Sequence, residues 1–183
     1  MEGETGAEQA KDVFGSVKDS VYSNEYYGIH FAFDSSWEYK IAEDFQDVPE
    51  DRVNLPYDEE YKVFWAKRGD GMVQFDLSVE RMDEDTMEEF ATLGEEGFID
   101  YMVDVVERRS DEISNEEATF KSVEKVKMDF CGQEKWAVKI VFDYSAEVIT
   151  QYQIFYIDTE YVADFVCTFS GEKTEKDFLA MFY

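Results

Sequence analysis

The sequence predicts an α+β fold, a mostly antiparallel sheet with helices packed on it. Three observations predict it. Four β-type segments follow one another from Thr119 to Ser170, a β-hairpin precedes them at 61–81, and one long amphipathic helix stands between the two. Strands grouped on either side of a helix, rather than alternating with helices, favour an antiparallel sheet with separate helical layers.

The four segments are TFKSVEKVKMDF, KWAVKIVFDYS, VITQYQIFYID and EYVADFVCTFS, with short polar joints. In the second, Trp136, Val138, Ile140 and Phe142 fall on one face, with Ala137, Lys139, Val141 and Asp143 opposite. Period two with tight joints predicts a β-meander. The hairpin joins Tyr61–Lys67 to Met72–Arg81 across Arg68-Gly69-Asp70-Gly71, with Val73, Phe75, Leu77 and Val79 pointing inward. The Arg68-Gly69-Asp70 triplet spells an adhesion tripeptide, but a glycine-rich turn needs no more than this composition.

The helix is expected to open on Asp85-Thr86-Met87-Glu88, read as a capping box. Its apolar stripe is Met87, Phe90, Ala91, Gly94, Phe98, Tyr101, Met102 and Val105. Gly94 and Gly97 weaken a helix by roughly 1 kcal/mol each against Ala, so they are expected either to let it lie close on the sheet or to bend it. A short closing helix is expected over 172–183, burying Phe178, Leu179 and Phe182.

Ahead of these, residues 1–24 are polar and read as a flexible acidic tail or tether, with a weak helix at Ala7–Val17; residues 25–183 form a single domain. YYGIHFAF gives a strand closed by Asp34-Ser35-Ser36. Residues 38–60 hold both prolines and little periodicity, a long surface loop with a short strand near Glu38–Ile41.

The net charge of −27 is unevenly spread. Residues 80–117 carry 15 acids against three Arg and residues 38–60 nine against two bases, while residues 118–183 hold 11 acids and seven Lys. Such a field disfavours nucleic acid and favours cations or basic proteins. Aromatics at 17% exclude disorder for most of the length. No apolar run reaches the roughly 20 residues of a membrane-spanning helix, and no basic-then-apolar leader stands at Met1. A tether beginning at residue 1 suits a chain trimmed from a lipid-tethered or secreted precursor; the other reading is the frayed end of a cytoplasmic protein. Cys131 and Cys167 fall on strands too far apart for the ~5.5–6 Å Cα separation of a disulfide, so two free thiols are expected.

Catalytic signals are sparse. His30 is the only imidazole, and a Ser–His or Cys–His pair built on it lacks a local signature. Zinc would need more His and Cys. Calcium wants carboxylates, and Asp83, Glu84 and Asp85 are the candidates, without the spacing of a calcium loop. The chain is otherwise expected to need no cofactor. Glu96, Asp100 and Asp104 stack at four-residue spacing, a mild repulsion that a cation or basic partner relieves; with Asp47, Glu50 and Asp51 they form the expected interaction surface. An enzyme would instead show a polar cleft holding His30 or carboxyls with displaced pKa values. Tyr26, Tyr27, Trp37, Tyr57, Tyr61 and Trp65 crowd the first third, to line a groove or to complete the core beneath the loop.

The run YYGIHFAFDSSWEYK resembles the opening of the PsbP/Mog1/DcrB-like α-β-α sandwich proteins, a short strand and turn of the form F-x-I-x-F-P-x-x-W. Asp34-Ser35-Ser36 replaces the proline turn before Trp37. The resemblance extends by element order over residues 25–183. It implies an α-β-α sandwich and a non-enzymatic role, since members act as photosystem II extrinsic subunits, a nuclear-transport GTPase cofactor and envelope lipoproteins, and it carries over no catalytic residue. The function expected is a non-enzymatic bacterial envelope or secreted binding or accessory module. The alternative is a cytoplasmic protein meeting a basic partner through its acidic helix and loop.

Overall fold

The computed structural model describes residues 12–69, 73–114, 118–145 and 147–183. Its strands are β1 (Ser16–Lys18), β2 (Val21–Asn24), β3 (Ile29–Ala32), β4 (Trp37–Ile41), β5 (Glu60–Arg68), β6 (Val73–Arg81), β7 (Ala118–Phe130), β8 (Gln133–Tyr144), β9 (Glu147–Ile157) and β10 (Tyr161–Ser170). The helices are α1 (Glu84–Arg108), α2 (Ser110–Ile113) and α3 (Glu172–Leu179). β1, β2 and β3 form a small sheet; the other seven form one sheet in the order β4-β5-β6-β10-β9-β8-β7. Every strand pairing in both sheets is antiparallel. The meander and the hairpin stand as the alternation predicts, with β10 returning to pair with β6 and join them.

The large sheet separates two apolar layers. One face meets the small sheet and α3: Val73, Phe75, Leu77, Phe165, Cys167 and Phe169 pack there with Phe31, Phe178 and Phe182. The other face meets α1, where Met87, Phe98 and Ile99 cover Val138, Ile140 and Phe155. The chain end is sewn to β3 by backbone bonds His30 N to Tyr183 O and Tyr183 N to His30 O, both 3.0 Å.

Residues 12–24 correct the expected tail. Val13, Phe14 and Tyr22 are buried, and β1 and β2 extend β3 into a sheet. Two features hold them. Gly15 has φ +66°, and a Cβ there would stand 2.5 Å from the Ser23 carbonyl oxygen, so only glycine lets the turn close on β2. Asn24, fully buried, donates from Nδ2 to Val13 O (2.8 Å) and Tyr22 Oη (3.1 Å), and its Oδ1 accepts from Tyr26 N and Tyr27 N. The expected helix at Ala7–Val17 gives way to this turn and strand from residue 12 onward, while residues 1–11 lie outside the described residues, as do Asp70, Gly71 and Met72 of the hairpin turn.

The acidic loop after β4 is pinned from below. Leu55 is buried, its N–H donates to Tyr161 Oη (3.1 Å), Tyr161 Oη donates to Val53 O, and Arg81 Nη1 donates to Leu55 O (3.0 Å). Of the crowded aromatics, Tyr27, Trp37 and Tyr61 complete the core, whereas Tyr57 is exposed beneath Arg81.

Helix α1 departs from the expected stripe. Its N-cap is Asp83, whose Oδ1 accepts from Thr86 N (2.9 Å), two residues before the expected cap. Gly94 sits at φ 66°, ψ 173°, a conformation essentially reserved for glycine. It divides the helix into two pieces and resets the phase of everything after it. Beyond the kink the buried face runs through Phe98, Ile99, Met102, Val103 and Val106, and Tyr101 turns outward, 48% exposed. The bend is thus the use of Gly94; at Gly97 an added Cβ would meet only Leu93.

Candidate functional site

Helix α1 rests mainly on β7 and β8, away from the β4–β5–β6 end of the sheet, where a single 3-10 turn at Ala42–Asp44 meets β5. A pocket of about 540 Å³ opens there, lined by side chains from β4, β5, β6, β9 and β10. The outward positions of the hairpin, Gln74, Asp76 and Ser78, form its floor with Asp164 of β10, and Lys40, Lys62 and Trp65 stand around it. Strict alternation would send Lys62 and Trp65 to opposite faces. A bulge between Lys62 and Phe64 absorbs one residue, so Lys62 registers with Ser78 and Trp65 with Asp76 on the same side, while Val63 and Phe64 both reach the core.

Two carboxyls in the floor are displaced. Burial pushes Asp164 up to about 7, with the charges of Glu60 and Asp76 adding to it. Burial also raises Asp76 above the usual carboxylate range, against the Gln74 amide, which donates to Asp76 Oδ2 at 2.6 Å, and the charge of Lys62. Asp164 Oδ1 is closed off from solvent and has no hydrogen-bond partner among the described residues, and the same holds for Gln153 Oε1 on the neighbouring strand. At the rim, Lys40 Nζ lies 5.7 Å and Lys62 Nζ 5.8 Å from the centre of the Phe45 ring. Among the described residues neither lysine has a carboxylate within ion-pair distance.

The residues singled out from the sequence lie elsewhere. Asp83 is occupied as a helix cap, and no group of three or more His, Cys, Asp or Glu among the described residues converges as a metal site. Of the stacked acids, Glu96 (3.0 Å) and Asp100 (2.6 Å) share Lys125 of β7, and neighbouring Glu95 pairs with Lys135 at 2.6 Å. The cation that relieves their repulsion comes from this chain's own sheet. Asp51 accepts from Val53 N, Asn54 N and the Asn54 amide, which closes a turn. Among the described residues no ion pair brings Asp104, Asp47 or Glu50 together with them. His30 Nδ1 is 3.0 Å from Ser23 Oγ, its partner across the β2–β3 ladder, with Tyr183 stacked on the ring. Cys131 and Cys167 are free, and burial raises both thiols, which keeps them from the thiolate form.

Gln74, Asp76 and Ser78 were legible as outward-facing positions of the hairpin, and Asp164 stood in plain view as an acid within the apolar run VADFVC. An ionisable side chain in the middle of a central strand is the signal that could have found it. The bulge that completes the wall has no such signal.

No protein-family model and no curated protein matches the chain. Among solved structures, the fold is similar to the solution structure of cyanobacterial PsbP (CyanoP) from Synechocystis sp. PCC 6803, at 13% identity and a TM-score of 0.49, over 92% of this chain and 95% of that one. The likeness is one of fold alone. Among the described residues no helix is long and apolar enough to cross a membrane.

Proposed function

We propose that the chain is a non-catalytic binding or accessory module whose ligand enters the pocket at the β4–β5–β6 end of the sheet. One observation carries this reading: the almost wholly buried carboxyl of Asp164 has an oxygen without a hydrogen-bond partner among the described residues, at the floor of an open cavity. Buried polar atoms are nearly always paired, so such an oxygen beside an open pocket is a natural place for a ligand's donor. Displaced carboxyls also occur at catalytic sites. Here, however, the other lining groups are the carboxyls of Glu60 and Asp76, the Ser78 hydroxyl, amides, aromatic and aliphatic side chains and two lysines. Among the described lining residues there is no His or Cys to pair with Ser78 as a nucleophile and base.

A fragment library followed by NMR tests it. Shifts should centre on Lys62, Gln74 and Asp164, with each compound recovered unchanged; hits confined to other surfaces, or conversion of a compound, would overturn the reading. Calcium has no part in it. A melting midpoint unmoved by millimolar calcium is expected, because a cation that bound only the folded chain would raise it.

An envelope or secreted setting goes with this proposal. The second reading, a cytoplasmic protein holding a basic partner by its acidic surface, draws on the net charge of −27 and on exposed Glu88, Glu89 and Asp104. Cell fractionation separates the two.

A further inference from the structure

We propose that the pocket takes a small zwitterion, a free amino acid, with its ammonium on the Asp76–Asp164 floor and its carboxylate between Lys40 and Lys62. The inference rests on the reading of the pocket as a binding site and names the class of ligand. Two kinds of unmet demand stand side by side there. On the floor, Asp164 Oδ1 is an acceptor without a donor among the described residues, and Asp76 sets a second carboxyl beside it. An ammonium supplies three donors and a charge opposite to that of the floor. At the rim, Lys40 and Lys62 rest over aromatic rings: Lys40 lies 5.7 Å from Phe45 and 6.0 Å from Trp65, and Lys62 lies 5.8 Å from Phe45. A carboxylate gives both lysines the charged acceptor they lack.

The alternatives fail on charge. A simple cation is drawn to the floor and to Glu60 beside it but repelled by two lysines, and a simple anion meets the reverse. A divalent metal ion finds no convergent group of three ligands among the described residues. Only a ligand carrying both signs answers both ends at once. The cavity of about 540 Å³ leaves room beyond these two groups for a side chain, and Trp65 and Phe45 offer it an apolar wall.

The test is a melting-midpoint titration with each of the twenty amino acids, and then with the amide and the N-acetyl derivative of the strongest. Glucose serves as a neutral probe. An amino acid should raise the midpoint in a concentration-dependent way, and each derivative, lacking one charge, should bind at least about tenfold more weakly. Asp164→Asn should weaken the amino acid by about tenfold or more. The exposed pair Lys40→Gln/Lys62→Gln should do the same without touching the buried floor. Derivatives that bind as tightly as the parent, or variants that bind it unchanged, overturn the zwitterion. If glucose alone binds, and loses its effect in Asp164→Asn, the zwitterion falls while the pocket stands as a binding site. If no probe binds, both fall.

Discussion

Asp164→Asn is expected to remove a pH-dependent weakness from the fold. The Asp164 carboxyl titrates near 7 in the folded chain, raised by burial and by Glu60 and Asp76, against an ordinary value of 3.8. A folded pKa above the unfolded one means that the folded state holds the proton longer. The stabilising contribution of this group is therefore complete below about pH 4 and is lost as pH rises to about 7. The full difference is on the order of 4 kcal/mol. Asparagine has no proton to lose, so the gap in unfolding free energy between variant and parent should widen in the variant's favour by that order from pH 4 to pH 8. Denaturant unfolding of both proteins at several pH values measures it. Parallel curves would mean that the carboxyl is solvated and that the pocket floor is not as described. Asp76, raised by burial in the same direction, leaves the variant a residual slope of the same sign.

This weakness bears on the site. Close to neutrality the protein keeps an acid in a place where ionisation is costly, with Glu60 and Asp76 of the same sign nearby and Lys62 beside Asp76. Fold stability alone would replace it with an apolar residue such as the adjoining Phe165 or Val166. A ligand that brings positive charge reverses the balance, since it stabilises the ionised form and lowers the pKa that burial raised. Affinity for an ammonium should then climb as pH rises through 7, opposite to the trend in stability.

The large sheet was readable from the sequence because it repeats one rule. In β5–β6 and β7–β10, inward residues such as Phe75, Leu77, Ile154 and Phe165 alternate with polar ones, and the turns within each group are short. Where a single residue breaks the rule, reading fails downstream of it. The left-handed backbone of Gly94 shifts the helix phase, so that Ile99 replaces Tyr101 in the core. The bulge after Lys62 turns Trp65 toward the pocket. The site is legible only in part for the same reason: Asp76 and Gln74 are placed by alternation, whereas their union with Lys62, Trp65 and Asp164 depends on the bulge and on β10 returning to β6, a long-range pairing. The acidic stack on α1 misled in another way. Its spacing is real, but the answering charge, Lys125, is distant in sequence.

Asn24→Ala is expected to cost about 4 kcal/mol, the other large effect. The short polar stretch before β3 has few apolar residues, and its composition reads as a tail because hydrophobic content is what announces a packed segment. What holds it, beside the turn at Gly15, is one amide. Asn24 Nδ2 satisfies the Val13 carbonyl and the Tyr22 hydroxyl, and its Oδ1 satisfies the N–H groups of Tyr26 and Tyr27. Alanine leaves these groups without their partner in a site where Asn24 has no exposed surface, and each orphaned buried group costs about 1–3 kcal/mol, offset in part by relaxation. Tyr22 stacks on Phe64 at 4.2 Å, and Phe14 meets Tyr61 edge-on at 5.8 Å, so loosening the turn also uncovers one side of the main core. Denaturant unfolding gives the cost, and hydrogen exchange at residues 13–23 shows where it falls: protection there should drop further than in β6 or β10. A surface tail would respond to the substitution by no more than about 0.5 kcal/mol, and an effect that small would return residues 12–24 to a tether.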